Sequence, residues 1–149
     1  MEPAKLQKYS FFGGLLEEQI RKILPFMEKK SCPRGSDIIL EGSLNDRISF
    51  ILEGRVALIK QGVAFLEFSE GDTFGEMEVL DIMPSAATVR ALEDTTVLSI
   101  SNKSLRGIYR EDIHCFSLII MNLARELSRR LRYMDDLVTL KQGASPADQ

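Results

Sequence analysis

Between residues 28 and 101 turn signals recur so often that only short strands fit between them. The signals are Pro33-Arg34-Gly35, Glu41-Gly42-Ser43, Asn45-Asp46, Glu53-Gly54, Gln61-Gly62, Glu70-Gly71-Asp72, Met83-Pro84 and Glu93-Asp94. The runs between them are β-branched and apolar: Ile38-Ile39-Leu40, Ile48 to Leu52, Val56 to Ile59, Val63 to Phe68, Ala86 to Leu92 and Val97 to Ile100. Strands spaced about 8–12 residues apart predict a sandwich, barrel or jelly roll. No long helix interrupts them, which argues against a parallel α/β sheet.

Helical periodicity replaces the strand pattern at both ends. Leu15, Leu16, Ile20, Ile23 and Leu24 predict an amphipathic helix bounded by Gly13-Gly14 and Pro25, with Glu17 and Glu18 in its first turn, where negative charge suits the helix dipole. Ser101 or Asn102 is placed to cap a short helix through Tyr109, and a long helix is predicted from about Asp112 to Leu140. Along it Ile113, Ile120, Leu127 and Met134 fall seven apart, with Ala124, Leu131 and Val138 as the companion row. This heptad-like seam predicts a homodimer about a two-fold axis. Phe116, Ile119 and Leu123 widen the apolar face, so the domain core has use for one part of it and a partner helix for the rest. The expected fold is therefore mainly β with flanking helices: a double-stranded β-helix (jelly roll) with an N-terminal helix and a long C-terminal helix. Residues 1–140 read as one domain and 141–149 as a disordered tail.

Composition narrows the function classes. A chain of 149 residues with a formal net charge of -3 has no basic excess to attract a polyanion, so nucleic-acid binding is not expected. No stretch reaches the roughly 18 apolar residues of a membrane span, and the N-terminus lacks a secretory core. Cys32 and Cys115 have no metal-ligand spacing and read as reduced thiols of a cytoplasmic protein. His114 is the only histidine, which excludes a histidine-rich metal centre, and Cys115 beside it on a helix points away. It reads as a surface or cap residue, and no enzyme is expected.

The most informative stretch runs Gly71-Asp72-Thr73-Phe74-Gly75-Glu76-Met77-Glu78-Val79-Leu80 and resumes at Pro84-Ser85-Ala86-Ala87-Thr88-Val89-Arg90-Ala91. It resembles the phosphate-binding cassette of the cyclic-nucleotide-binding domain family. That family includes the bacterial catabolite activator protein, the regulatory subunit of cyclic-AMP-dependent kinase and the cytoplasmic domains of cyclic-nucleotide-gated channels. Pro33-Arg34-Gly35, Glu41-Gly42, Phe50 to Val56 and the flanking helices extend the resemblance over about 10 to 138. A buried cyclic phosphate needs backbone N–H donors and a fixed cation, best an arginine fork, and a ribose hydroxyl needs an acceptor. In the family, the resemblance implies, the Glu of Phe-Gly-Glu serves the ribose and an Arg after the proline serves the phosphate.

Phe74, Gly75 and Glu76 match, so Glu76 is the candidate ribose acceptor; alternatively Gly75 and Glu76 only shape a turn. The candidate pocket comprises Phe74, Gly75, Glu76, Met77, Glu78, Ser85 and Ala86. Two positions depart from the family: Ser85 stands where arginine is usual, and Glu78 where a small residue is usual. Arg90, five residues on, falls on the opposite strand face, and Arg55 reads as solvent-exposed. Arg125, Arg129, Arg130 and Arg132 read more simply as a solvated helix face than as a reach into the pocket.

The expected function is a stand-alone regulatory domain with impaired or atypical cyclic nucleotide binding, acting as a sensor or as a dimerisation or interaction module. No cofactor is assigned; a cyclic nucleotide or another small molecule is a candidate ligand, and an unidentified protein partner is expected. The alternative is a working cyclic AMP or cyclic GMP sensor with unusual phosphate contacts. A third reading is a transcription regulator fragment of the catabolite activator type. It would need a helix-turn-helix segment beyond the long helix, for which this sequence leaves no room, so DNA binding is not expected.

Overall fold

The computed structural model describes residues 1–143. Its elements run α1 (Pro3–Leu6), α2 (Glu17–Ile23), β1 (Glu28–Cys32), β2 (Asp37–Ile39), β3 (Arg47–Glu53), β4 (Arg55–Lys60), β5 (Val63–Ser69), β6 (Thr73–Phe74), α3 (Glu76–Asp81), β7 (Thr88–Ala91), β8 (Thr95–Ser101), α4 (Asn102–Glu111) and α5 (Ile113–Gly143). The strands form two four-stranded antiparallel sheets, ordered β1-β8-β3-β6 and β2-β7-β4-β5. This is the predicted β-roll between helices.

Strands β3 and β8 are buried on both faces, and alternation turns successive apolar residues to opposite sides. Ile48 and Phe50 of β3, with Leu98 and Ile100 of β8, pack outward against Leu6, Phe11, Phe12, Ile20, Ile23, Leu105, Ile108, Cys115, Ile119 and Leu123 of the helical layer. Ile51 and Val97 point inward and meet Cys32, Ile39, Val56, Phe68, Phe74, Val89 and Ala91 between the sheets. The roll thus has one core inside and a second where the helices cover it.

The helices differ from expectation in detail. The N-terminal helix keeps only Glu17–Ile23, and Leu24–Phe26 tighten into a 3-10 turn because Pro25 has no N–H to give. Leu16, predicted on the apolar face, is the exposed residue before the helix, where its N–H is accepted by the Gln19 side chain at 2.9 Å. Ser101 caps α4 as predicted, its Oγ accepting from the Ser104 N–H at 3.0 Å. The tail prediction is corrected at its start: residues 141–143 complete the last turn of α5, and 144–149 lie outside the described residues.

Helix α5 is held to the roll by Cys115, Ile119, Asn122 and Leu123. The buried Asn122 donates to the carbonyls of Phe11 (3.0 Å) and Gly13 (2.9 Å), fixing the N-terminal turn to the long helix. At roughly 100° per residue, Cys115, Ile119, Leu123, Glu126 and Arg130 share one stripe, and the heptad seam lies about a quarter turn away. In agreement, Ile113, Leu131 and Val138 are exposed, while Ile120 is partly buried against the helical core.

Candidate functional site

The site begins with a backbone requirement at Gly75. Its φ is 82°, and a Cβ there would lie 2.5 Å from the Arg47 carbonyl oxygen and 2.8 Å from Asn45 Nδ2. Only glycine accommodates both the left-handed turn and this close approach. Asn45 secures the turn by donating to the carbonyls of Arg47 (2.8 Å) and Gly75 (3.2 Å). The chain leaves β6 through Gly75 directly into α3, which sets Glu76 inside the protein at 3% exposure.

Glu76 is met by a residue from the far end of the chain. Arg130 of α5 donates through Nη1 to Glu76 Oε1 and through Nη2 to the Thr73 carbonyl, with Thr73 Oγ1 at 3.3 Å. Its guanidinium lies over the Phe68 ring, 4.3 Å from the centroid, and its Nε is 3.7 Å from Glu126 Oε1. This corrects the expectation that Arg130 belongs to a solvated face. The stripe of Cys115, Ile119, Leu123 and Glu126 carries the signal that identifies it, because Arg130 continues that spacing toward the roll. Arg125, Arg129 and Arg132 are exposed, as expected.

One oxygen remains over. Among the described residues, Glu76 Oε2 is the buried side-chain oxygen or nitrogen that has no hydrogen-bond partner. Burial raises the Glu76 pKa above its ordinary value, Arg130 opposes the rise, and the nearby Glu78 charge adds to it. An orphaned buried carboxylate oxygen lacks a donor, and a ligand hydroxyl is such a donor.

The second half of the cassette is different. Ser85 is buried, and its Oγ donates to Glu78 Oε1 at 2.8 Å. Its backbone is tied to the 40–46 loop: the Gly42 N–H donates to the Ser85 carbonyl, and the Ser85 N–H to the Ser43 carbonyl, both at 2.8 Å. Glu78 therefore bends toward the cassette and not away from it. Met77 and Ala86 are exposed, whereas Phe74 is packed in the inner core. Arg90 is held on the outside by Asp37 at 2.7 Å, and Arg55 by Glu67 at 3.1 Å.

Residues 29–112 match the sequence model of the family described as "Cyclic nucleotide-binding domain". The chain belongs to that family. As a cyclic nucleotide-binding domain it is 33% identical, over 103 residues, to a cAMP-dependent protein kinase regulatory subunit of Yarrowia lipolytica, an alignment covering 69% of this chain and 28% of that protein. It is 29% identical over 139 residues to the Cyclic AMP receptor protein of Thermus thermophilus, covering 88% of this chain and 62% of that one. The domain thus spans less than two thirds of either relative. It also superimposes, with a TM-score of 0.74 and 28% identity, on a putative cyclic nucleotide-binding protein from Geobacter metallireducens, covering 88% of this chain and 98% of that one. At the first half of the cassette Glu76 Oε2 is left without a donor, and at the second half Ser85 and Glu78 pair with each other.

Proposed function

We propose that this cyclic nucleotide-binding domain is a regulatory module that holds cyclic nucleotides weakly, is closed over its pocket by α5, and works as a homodimer that passes its state to a protein partner. The single observation that carries the reading is the hydrogen bond from Ser85 to Glu78 where the family places an arginine. Loss of one partner from a buried charge pair costs on the order of 2–5 kcal/mol. At about 1.4 kcal/mol per tenfold this is a loss of roughly 30-fold to several-thousand-fold in affinity. Glu78 adds repulsion to that deficit.

A second reading has its own support. Arg130 is paired with Glu76, and a cation there would be available to a phosphate. To use it, the ligand has to draw the guanidinium off Glu76 and Thr73, leaving a buried carboxylate unpaired, which costs several kcal/mol. Calorimetric titration of the whole chain with cyclic AMP and cyclic GMP separates the two. Weak or absent heat is expected, and dissociation constants at low micromolar or tighter favour Arg130 as a substitute cation.

Dimerisation draws on the exposed apolar residues Ile113, Leu131 and Val138 of the seam, at 59%, 64% and 55% exposure. Leu127 and Met134 of the same seam are half-buried, and Ala124 beside them is exposed. Light scattering at micromolar concentration is expected to give a dimer, and Leu131→Glu a monomer. A native monomer ends this part of the reading.

A further inference from the structure

The two halves of the pocket ask for different chemistry, and together they specify a ligand. At one end Glu76 Oε2 is 3% exposed with its residue and lacks any donor. At the other, Glu78 takes one hydrogen bond, from Ser85, and retains acceptor capacity that one bond does not exhaust. Arg130 is already committed to Glu76 Oε1 and Thr73. The formal charges of Glu76, Glu78 and Arg130 leave an excess of one negative charge before any ligand enters. A phosphate monoanion would raise that excess beside Glu76, which is buried, where like charges are costly. Hydroxyl groups instead donate to both carboxylates without adding charge. The guanidinium plane laid on Phe68 is, in addition, a surface on which a flat base stacks.

From this we infer that the pocket takes an uncharged nucleoside in preference to a cyclic nucleotide. The sugar diol donates to Glu76 Oε2, and the free 5′-hydroxyl donates to Glu78 at the place a phosphate would otherwise occupy. The inference rests on the reading of the domain as a weak binder of cyclic nucleotides and adds the ligand class.

The test is calorimetric titration of the full chain with adenosine, guanosine, cyclic AMP and cyclic GMP. At least one nucleoside is expected to bind tenfold or more tightly than its own cyclic monophosphate. Glu76→Gln, which keeps the shape and removes the anionic acceptor, is expected to weaken the nucleoside at least tenfold; unchanged affinity overturns the assignment of the diol. Ser85→Arg with Glu78→Ala is expected to reverse the preference, and a preference left as it was overturns the assigned role of Glu78. Native chain that gives no heat with either nucleoside at millimolar concentration overturns the inference and leaves weak cyclic nucleotide binding standing. Tight binding of a cyclic monophosphate overturns both.

Discussion

Removing the guanidinium of Arg130 is the most informative perturbation of stability. In Arg130→Met the aliphatic stem is largely kept, while Phe68 loses the guanidinium over its ring and Glu76 Oε1 and the Thr73 carbonyl lose their donor. Glu76 is 4% exposed at its side chain and Arg130 18%, so water does little to replace the pair. Breaking a buried ion pair from one side costs about 3–5 kcal/mol, and the partial exposure of Arg130 points to about 3 kcal/mol. For a chain of this length that is a fall of about 6–12 °C in Tm at pH 7.5. The pH dependence gives the cause. Burial already holds the Glu76 pKa above its ordinary 4.5, and loss of Arg130, which lowers it, raises it further. A raised carboxylate pKa favours the folded state below the unfolded value, and that benefit is lost as pH rises through the folded value. The variant's deficit is therefore largest near neutrality and shrinks toward pH 5, as Glu76 takes up a proton. Thermal melts of both chains at the two pH values measure it. A deficit under 2 °C at pH 7.5, or one of equal size at pH 5, refutes the buried-pair argument.

Other outcomes follow from single features. Ile82 ends α3 at φ 59°, a left-handed conformation that strains a β-branched side chain, and its side chain is exposed, so Ile82→Gly is expected to stabilise by about 1 kcal/mol in denaturant melts. Asn122→Ala leaves two carbonyls without their donor and is expected to cost about 2–3 kcal/mol by the same assay. Burial, with a hydrogen bond to Asp112, pushes the Cys115 thiol up to about 11, and burial also raises that of Cys32, so neither is expected to react with iodoacetamide at pH 8 until the chain is unfolded.

The β-roll is readable in the sequence because glycine- and proline-bearing turns punctuate runs with a strong apolar face. Two strands escape that reading for physical reasons. Glu28–Cys32 buries only Cys32 and holds its place by backbone pairing to β8, with Glu28 opposite Ser99, so no alternation marks it. Thr73–Phe74 is too short to show any period and exists because β3 offers it partners at Ser49 and Phe50. At the site, Glu76 and Gly75 are found from their motif, while Arg130 lies 54 residues from Glu76 in sequence. No local pattern joins those two; only the spacing of Cys115, Ile119, Leu123 and Glu126 shows that Arg130 faces inward. The orphaned oxygen of Glu76 is a property of packing alone.

The most direct test compares cyclic AMP affinity in the native chain with that in Ser85→Arg, Glu78→Ala, by calorimetric titration under one buffer. An anionic ligand kept out by a carboxylate and a missing arginine predicts a gain of at least 30-fold in the double variant, consistent with a deficit of about 2 kcal/mol or more. A native chain that already binds cyclic AMP as tightly as the variant contradicts the account.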